Sequence, residues 1–164
     1  MNDLFKDIDE QLNLIKLLEQ YEVELGILKE NQFVTVAISH GNGNTETFNV
    51  PIEDIVYMSE YGTLSFPGTH ILQYLLWWTD SQLTERLNKI IDYILERDWT
   101  ENDIEIEMYN LEQFINNFIE GYIAGQIKEM TFLADKTNQI GLVDFPVDVS
   151  MLKNYIQCKI SKKV

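Results

Sequence analysis

The 164 residues are enough to form one domain with a substantial core, so we expect a single domain over residues 1–164. Hydrophobic residues make up 45% of the chain and charged residues 24%, a globular balance that excludes a wholly disordered chain. A net charge of −15 repels phosphates, so we expect no direct nucleic-acid binding and a basic protein surface as the easier partner.

The first third of the chain contains one helical pattern and three strand patterns. Apolar residues recur at three- and four-residue steps over residues 3–20, which predicts an amphipathic helix with Asp3 as its N-cap. Alternation of apolar and charged residues predicts a strand over 22–28. The segments 33–39 and 45–50 are rich in strand-forming residues and predict a hairpin.

The tip of this hairpin reads "GNGN" and consists of Gly41, Asn42, Gly43 and Asn44. Glycine and asparagine tolerate the positive φ angles of a tight turn. A phosphate-binding glycine loop would be followed by a helix, whereas a strand follows here. We therefore predict a polar tip that projects from the sheet and contacts a neighbouring protein.

Proline and glycine divide the middle of the chain into two helices. Pro51 precedes a short helix over 52–60, which Gly62 terminates. Pro67 is expected to open the next helix, whose apolar stripe extends over residues 69–97.

The last third of the chain contains a second long helix and a final strand. Apolar periodicity predicts the helix over 111–130, with Gly121 and Gly125 as sites of close packing by another element. Residues 102–108 are left open between a strand and the approach to this helix. The polar segment 134–141 predicts a loop.

The final strand, over 155–161, places Ile156, Cys158 and Ile160 on one face. Together these patterns predict an α+β fold, in which a small antiparallel or mixed sheet of about four strands packs on two long helices.

No pattern of catalytic, cofactor-binding or metal-binding residues is visible, so we expect neither an enzyme nor a bound cofactor. His40 and His70 have no second histidine or cysteine at ligand spacing. Cys158 is the single cysteine, which excludes an intrachain disulfide, and it alternates with apolar neighbours as a buried, inert thiol does.

The sequence also gives an expectation about the compartment. The first residues are acidic and do not form a leader peptide, and the most apolar run, 71–78, is too short to cross a bilayer. We expect a protein that is made in the cytoplasm and has no membrane contact.

The charge is unevenly distributed, because residues 153–164 contain four lysines and no acid. An acidic body with a basic end can attract copies of itself head to tail. The alternative is that Lys159, Lys162 and Lys163 only keep the end of the chain soluble.

Several segments, in order along the chain, resemble a family of bacteriophage proteins: the neck and tail-completion proteins of tailed phages. "VELGIL" resembles the family's "VxVGIL", "IEDIVYMSEYGT" its "IAxxNEFGT", and "FPGTHIL" its "IPARPFL". The later segments "LEQFINNFIEGYIAGQIKEM" and "GLVDFPVDVSMLKNYIQCKISKK" resemble its "LxxxGxxxxGxIKxxI" and its closing "PLIDTGxLxxSIxYxVxKK". These matches span residues 23–28, 52–63, 66–72, 111–130 and 141–163.

This resemblance implies a structural virion protein at the head–tail junction that assembles as a ring between the head connector and the tail. It implies contacts with other virion proteins through the abrupt stop and restart at Glu60, Tyr61, Gly62, Thr63 and Pro67. The alternative is that these residues only terminate one helix and begin the next, without contacting a partner. Lysines 159, 162 and 163 are then candidates to meet the acidic body of an adjacent subunit.

A second function fits the composition: an acidic inhibitor of the anti-restriction, anti-CRISPR or toxin-immunity type, which covers a basic protein surface. Such an inhibitor should concentrate carboxylates on one face. A ring subunit should instead pair acidic and basic faces between copies, and the basic end at 153–164 favours the ring.

Overall fold

The structure is a computed structural model that describes residues 2–29, 31–39, 43–63, 66–96, 98–137 and 149–163. The helices are α1 (Asn2–Leu18), α2 (Ile52–Tyr61), α3 (Ile71–Glu96) and α4 (Glu101–Thr137), with a 3-10 helix at Val149–Asn154. The strands are β1 (Tyr21–Ile27), β2 (Phe33–Ser39), β3 (Thr45–Pro51), β4 (Gly62–Thr63), β5 (Phe66–Pro67) and β6 (Ile156–Lys162).

The chain divides into two compact units, and the single domain stays a prediction. One unit comprises residues 1–25, 76–117 and 158–164, and the other comprises 26–75 and 118–157. Both long helices contribute residues to each unit.

The first unit has a core built by α1, α3 and α4. Its buried members are Leu17, Ile90, Ile94, Ile104 and Met108. Tyr21 of β1 and Ile160 of β6 pack against this cluster, as the apolar face of the predicted last strand requires.

The first and last strands pair with each other as a two-stranded ladder. The backbone N–H of Lys163 donates to the carbonyl of Gln20 at 2.7 Å, which joins the end of β6 to the start of β1 and makes the ladder antiparallel. The predicted strand at 155–161 is therefore present, and it pairs across most of the sequence.

Side chains of α4 occupy the other edge of β6. The Asn116 amide accepts from the backbone N–H of Cys158 and donates to its carbonyl, each at 2.9 Å. A carboxylate oxygen of Glu112 accepts from the N–H of Ile160 at 2.8 Å. We call this arrangement the Asn116 clasp. It gives the N–H and carbonyl of Cys158 and the N–H of Ile160 hydrogen-bond partners that a third strand would otherwise supply.

The second unit contains the predicted hairpin. Strands β2 and β3 pair antiparallel from Phe33 opposite Pro51 to Ser39 opposite Thr45. The N–H of Ile52 donates to the carbonyl of Gln32 at 2.9 Å, so the chain passes directly from β3 into α2.

α4 begins with a capping box, which is formed by Thr100 and Asp103. The N–H of Thr100 donates to the Asp103 carboxylate at 2.8 Å, and the N–H of Asp103 donates back to the Thr100 hydroxyl at 3.4 Å. The Thr100 hydroxyl also donates to this carboxylate, which lowers the pKa of Asp103. Residues 102–108 are therefore helical, with Ile104 and Met108 buried one turn apart.

The α+β class is confirmed, and the four longer strands lie in two separate two-stranded ladders, β1–β6 and β2–β3. α4 extends to Thr137, so the predicted loop at 134–141 is helical in its first four residues, and the others lie outside the described residues. α1 begins at Asn2, which places Asp3 inside the first turn.

Two local predictions are wrong. Pro67 does not open a helix, because it lies in β5 and α3 begins at Ile71. Gly121 and Gly125 are not packing sites among the described residues, since a Cβ built on either would meet nothing within 4 Å.

Candidate interaction surface

The segment between α2 and α3 is a rigid joint formed around a buried carboxylate. Glu60 is only 6% exposed. One of its carboxylate oxygens accepts from the N–H of Leu72 at 2.7 Å, and the other accepts from the N–H of Gln73 at 3.1 Å. These two amides belong to the first turn of α3 and have no partner inside that helix. Glu60 thus caps the positive end of α3 from the last turn of α2.

Backbone contacts tighten the same joint. Thr69 donates to the Ser59 carbonyl through both its N–H and its hydroxyl, each at 2.8 Å, and the N–H of His70 donates to the Glu60 carbonyl at 3.2 Å. Gly68 lies directly against α2, because a Cβ there would come within 2.3 Å of the Glu60 carbonyl oxygen. Only glycine fits at this position.

Gly62 ends α2 in the manner that the sequence predicts. Its φ angle is +83°, and its N–H donates to the carbonyl of Met58. The chain then forms the two-residue strands β4 and β5, in which Gly62 pairs with Pro67 and Thr63 with Phe66. At the abrupt stop and restart the described residues therefore form a pair of short antiparallel strands, after which the start of α3 is bonded to the end of α2.

α2 presents an exposed face beside this joint. Glu53, Asp54, Tyr57 and Tyr61 are exposed, and at 3.6 residues per turn they lie within a sector of about 100°. The two tyrosine rings are 64% and 66% exposed, and their centroids are 4.8 Å apart. We call these four residues the α2 face.

The structure separates the residues that the sequence grouped as one contact loop. Tyr61 lies on the α2 face, whereas Glu60 is buried and engaged in capping. Thr63 and Pro67 are described through their strand pairing with Phe66 and Gly62. Tyr57 is not among the contact residues predicted from the sequence, although its four-residue spacing from Tyr61 places both rings on one side of a helix.

The hairpin tip is described in part. Gly43 adopts a φ angle of +82° and is exposed, as is Asn44. Gly41 and Asn42 lie outside the described residues, so the predicted contact at the tip stays a prediction.

The C-terminal lysines differ from one another in their surroundings. The ammonium of Lys162 lies 2.5 Å from a Glu105 carboxylate oxygen and 5.8 Å from the centroid of the Tyr21 ring. The Lys163 ammonium donates to the carbonyl of Glu19 at 3.1 Å, and Lys159 is exposed. The hydrogen bond to Glu105 raises the pKa of Lys162, while burial raises the pKa of the Tyr21 hydroxyl.

Features that would suggest chemistry are weak in the part of the chain that the structure describes. No group of three or more histidine, cysteine, aspartate or glutamate side chains there is arranged to hold a metal ion. Burial, followed by the charge of Glu112, raises the pKa of the Cys158 thiol to about 11, so this thiol is protonated at neutral pH. His70 is exposed with a φ angle of +54°, at the start of α3. His40 lies outside the described residues.

None of the helices described here is both long and apolar enough to cross a membrane. Comparison of the chain with family models, with curated proteins and with solved structures found no match.

Proposed function

We propose that this chain is a structural virion protein of a tailed bacteriophage, placed as a ring at the head–tail junction between the head connector and the tail. Its partners are copies of itself and other virion proteins. Its role is to join surfaces, and it carries out no reaction.

The observation that carries this proposal is the ordered series of segments that resemble phage neck and tail-completion proteins from residue 23 to residue 163. The first segment lies mostly in β1 and the last one contains β6 near its end, and these two strands pair with each other. Two segments that are remote in sequence thus share backbone hydrogen bonds. This pairing supports the interpretation that the whole ordered series belongs to one family pattern.

The joint between α2 and α3 supports the proposal in a second way. The segment that resembles "NEFGT" folds as the capped end of α2, and it holds α2 on a fixed base through Glu60 and Gly68. A rigid helix with an exposed aromatic pair suits a subunit contact, because little conformational entropy is lost when it binds.

The test is deletion of the gene from its phage, with the wild-type gene supplied in trans as the control. We expect DNA-filled heads and separate, complete tails, seen by electron microscopy of infected-cell lysates. Virions that join and infect normally without the protein would contradict the proposal. If the protein is instead an acidic inhibitor, heads and tails should join normally without it, and deletion should reduce phage growth only in hosts that carry the inhibitor's target.

A further inference from the structure

We propose that the α2 face receives the basic strand end of a second copy of this chain. The donor surface is formed by Lys159 and Lys163, which we call the lysine face. The inference rests on the proposed function in one respect, because a head-to-tail contact that repeats from copy to copy is what closes a ring.

The α2 face combines two features that attract ammonium groups. Glu53 and Asp54 supply two exposed carboxylates at its N-terminal end, and neither takes part in the ion pairs of the described residues. Tyr57 and Tyr61 supply two exposed ring faces, whose negative quadrupole attracts a cation.

The lysine face follows from the period of the strand. Successive side chains of a strand alternate in direction, so Lys159 and Lys163 point away from Cys158 and Ile160, which face the core. All three lysines are exposed, but Lys162 belongs to the inward set and forms an ion pair with Glu105. The Lys163 ammonium donates to the Glu19 carbonyl, and neither Lys159 nor Lys163 forms an ion pair with a carboxylate among the described residues.

The two faces match in length. Glu53 and Tyr61 are eight residues apart on a helix, a distance of about 12 Å along its axis. Lys159 and Lys163 are four residues apart in extended chain, a distance of about 13 Å. One lysine can therefore reach the carboxylates while the other lies over the tyrosine rings.

The distribution of charge favours a second copy as the occupant. The chain has 12 lysine and arginine residues and a net charge of −15, and four of the 12 fall in the acid-free segment 153–164. Each copy thus carries one compact basic surface to offer and one acidic, aromatic face to receive it. Binding through unlike faces leaves one of each unused, so the contact can repeat.

The first test maps the contact by zero-length carbodiimide cross-linking, which joins an ammonium only to a carboxylate that it touches. Isotope-labelled and unlabelled chains are mixed, so that mass spectrometry separates links between copies from links within one. We expect linked peptides between copies that join Lys159 or Lys163 to Glu53 or Asp54. Cross-links between copies that join only other residues would overturn the inference.

The second test exchanges the charges of the two faces. One variant carries Glu53→Lys and Asp54→Lys, and the other carries Lys159→Glu and Lys163→Glu; both are checked for native circular dichroism. Each variant alone should self-associate at least about tenfold more weakly than the wild type in sedimentation equilibrium. An equimolar mixture should recover the wild-type association, because each altered face then meets an oppositely charged one.

The matched control reverses two exposed carboxylates elsewhere, with Asp92→Lys and Glu96→Lys on α3. Association should not weaken in this control. Failure of the mixture to recover would overturn the inference. The two proposals can fail separately. If the mixture regains self-association but the protein is absent from virions, only the proposed function is contradicted. If the protein is present in virions but the mixture does not regain self-association, only this contact is contradicted.

Discussion

The carboxylate of Glu60 joins two helices through three atoms of side chain. Glu60 lies in the last turn of α2, and it accepts hydrogen bonds from two amides in the first turn of α3. The residues on either side of it, Ser59 and Tyr61, are buried and exposed respectively, so the chain turns from core to surface within one residue of the cap.

Replacing Glu60 by alanine should lower the free energy of unfolding by about 2–3 kcal/mol, because two charge-assisted hydrogen bonds to the end of α3 are lost. Urea denaturation followed by circular dichroism measures the change. The matched control is Glu53→Ala, which removes an exposed carboxylate from the same helix and should change stability by less than about 0.5 kcal/mol. Equal effects of the two substitutions would contradict the capping role.

Gly68 and Gly121 should respond in opposite directions to the same substitution. Alanine at 68 would bring a methyl group against the backbone of α2, so Gly68→Ala should destabilise by about 3 kcal/mol or prevent folding. Alanine at 121 meets open space on an exposed turn of α4 and should stabilise by up to about 1 kcal/mol. Thermal unfolding measures both, and a tolerated Gly68→Ala would show that the joint can open.

At the scale of elements, β6 is held by side chains as well as by a neighbouring strand. The Asn116 clasp satisfies both backbone groups of Cys158, which is 3% exposed and away from solvent. A buried amide and carbonyl without partners are costly, so the clasp should matter more than its one side chain suggests.

Asn116→Ala should therefore lower the free energy of unfolding by about 2–4 kcal/mol and speed hydrogen exchange at the Cys158 amide. Asn117→Ala is the control, since it changes the adjacent exposed amide of the same helix and should leave both measurements nearly unchanged. Unaltered exchange at Cys158 in the Asn116 variant would show that β6 does not depend on the clasp.

Local patterns in the sequence predict most of the elements because helices and hairpins depend on near neighbours. The alternation at 22–28 and 155–161 predicts two strands, and the spacing of Pro51 and Gly62 brackets α2. Residues 102–108 were left open between a strand and the approach to a helix, although the local capping box at Thr100 and Asp103 indicates that α4 begins there.

Partnerships between distant residues are not readable in the same way. Nothing local indicates that Glu60 caps residues 72 and 73, or that Asn116 binds a strand 42 positions later. The same reason explains why one sheet was expected and two ladders occur, since alternation marks a strand without naming its partner. The α2 face was partly missed because exposure of both tyrosines depends on what the opposite side of α2 buries.

At the scale of the whole molecule, the uneven charge along the chain, with an acidic body and a basic C-terminal segment, is expected to drive self-association. Replacing Lys159, Lys162 and Lys163 together by glutamine should spare the melting temperature, because the pair of Lys162 with Glu105 is exposed. It should weaken self-association and ring assembly, since the attraction between unlike faces is lost. Calorimetry and sedimentation measure the two effects, with Lys16→Gln and Lys29→Gln as exposed controls. Normal assembly of the triple variant would rule out a docking role for these lysines.

The Asn116 clasp should protect the protein against aggregation by strand addition at the edge of β6. A two-stranded ladder normally exposes backbone edges that template the addition of further strands, and a protein gathered at high local density risks growing into fibres. Side chains of α4 already bind both backbone groups of Cys158 and the N–H of Ile160, so these three groups are not available to a neighbouring chain. A contact at that edge would have to use side chains. Side-chain contacts are specific in charge and shape, so they can limit an assembly to a fixed number of copies, whereas strand addition does not.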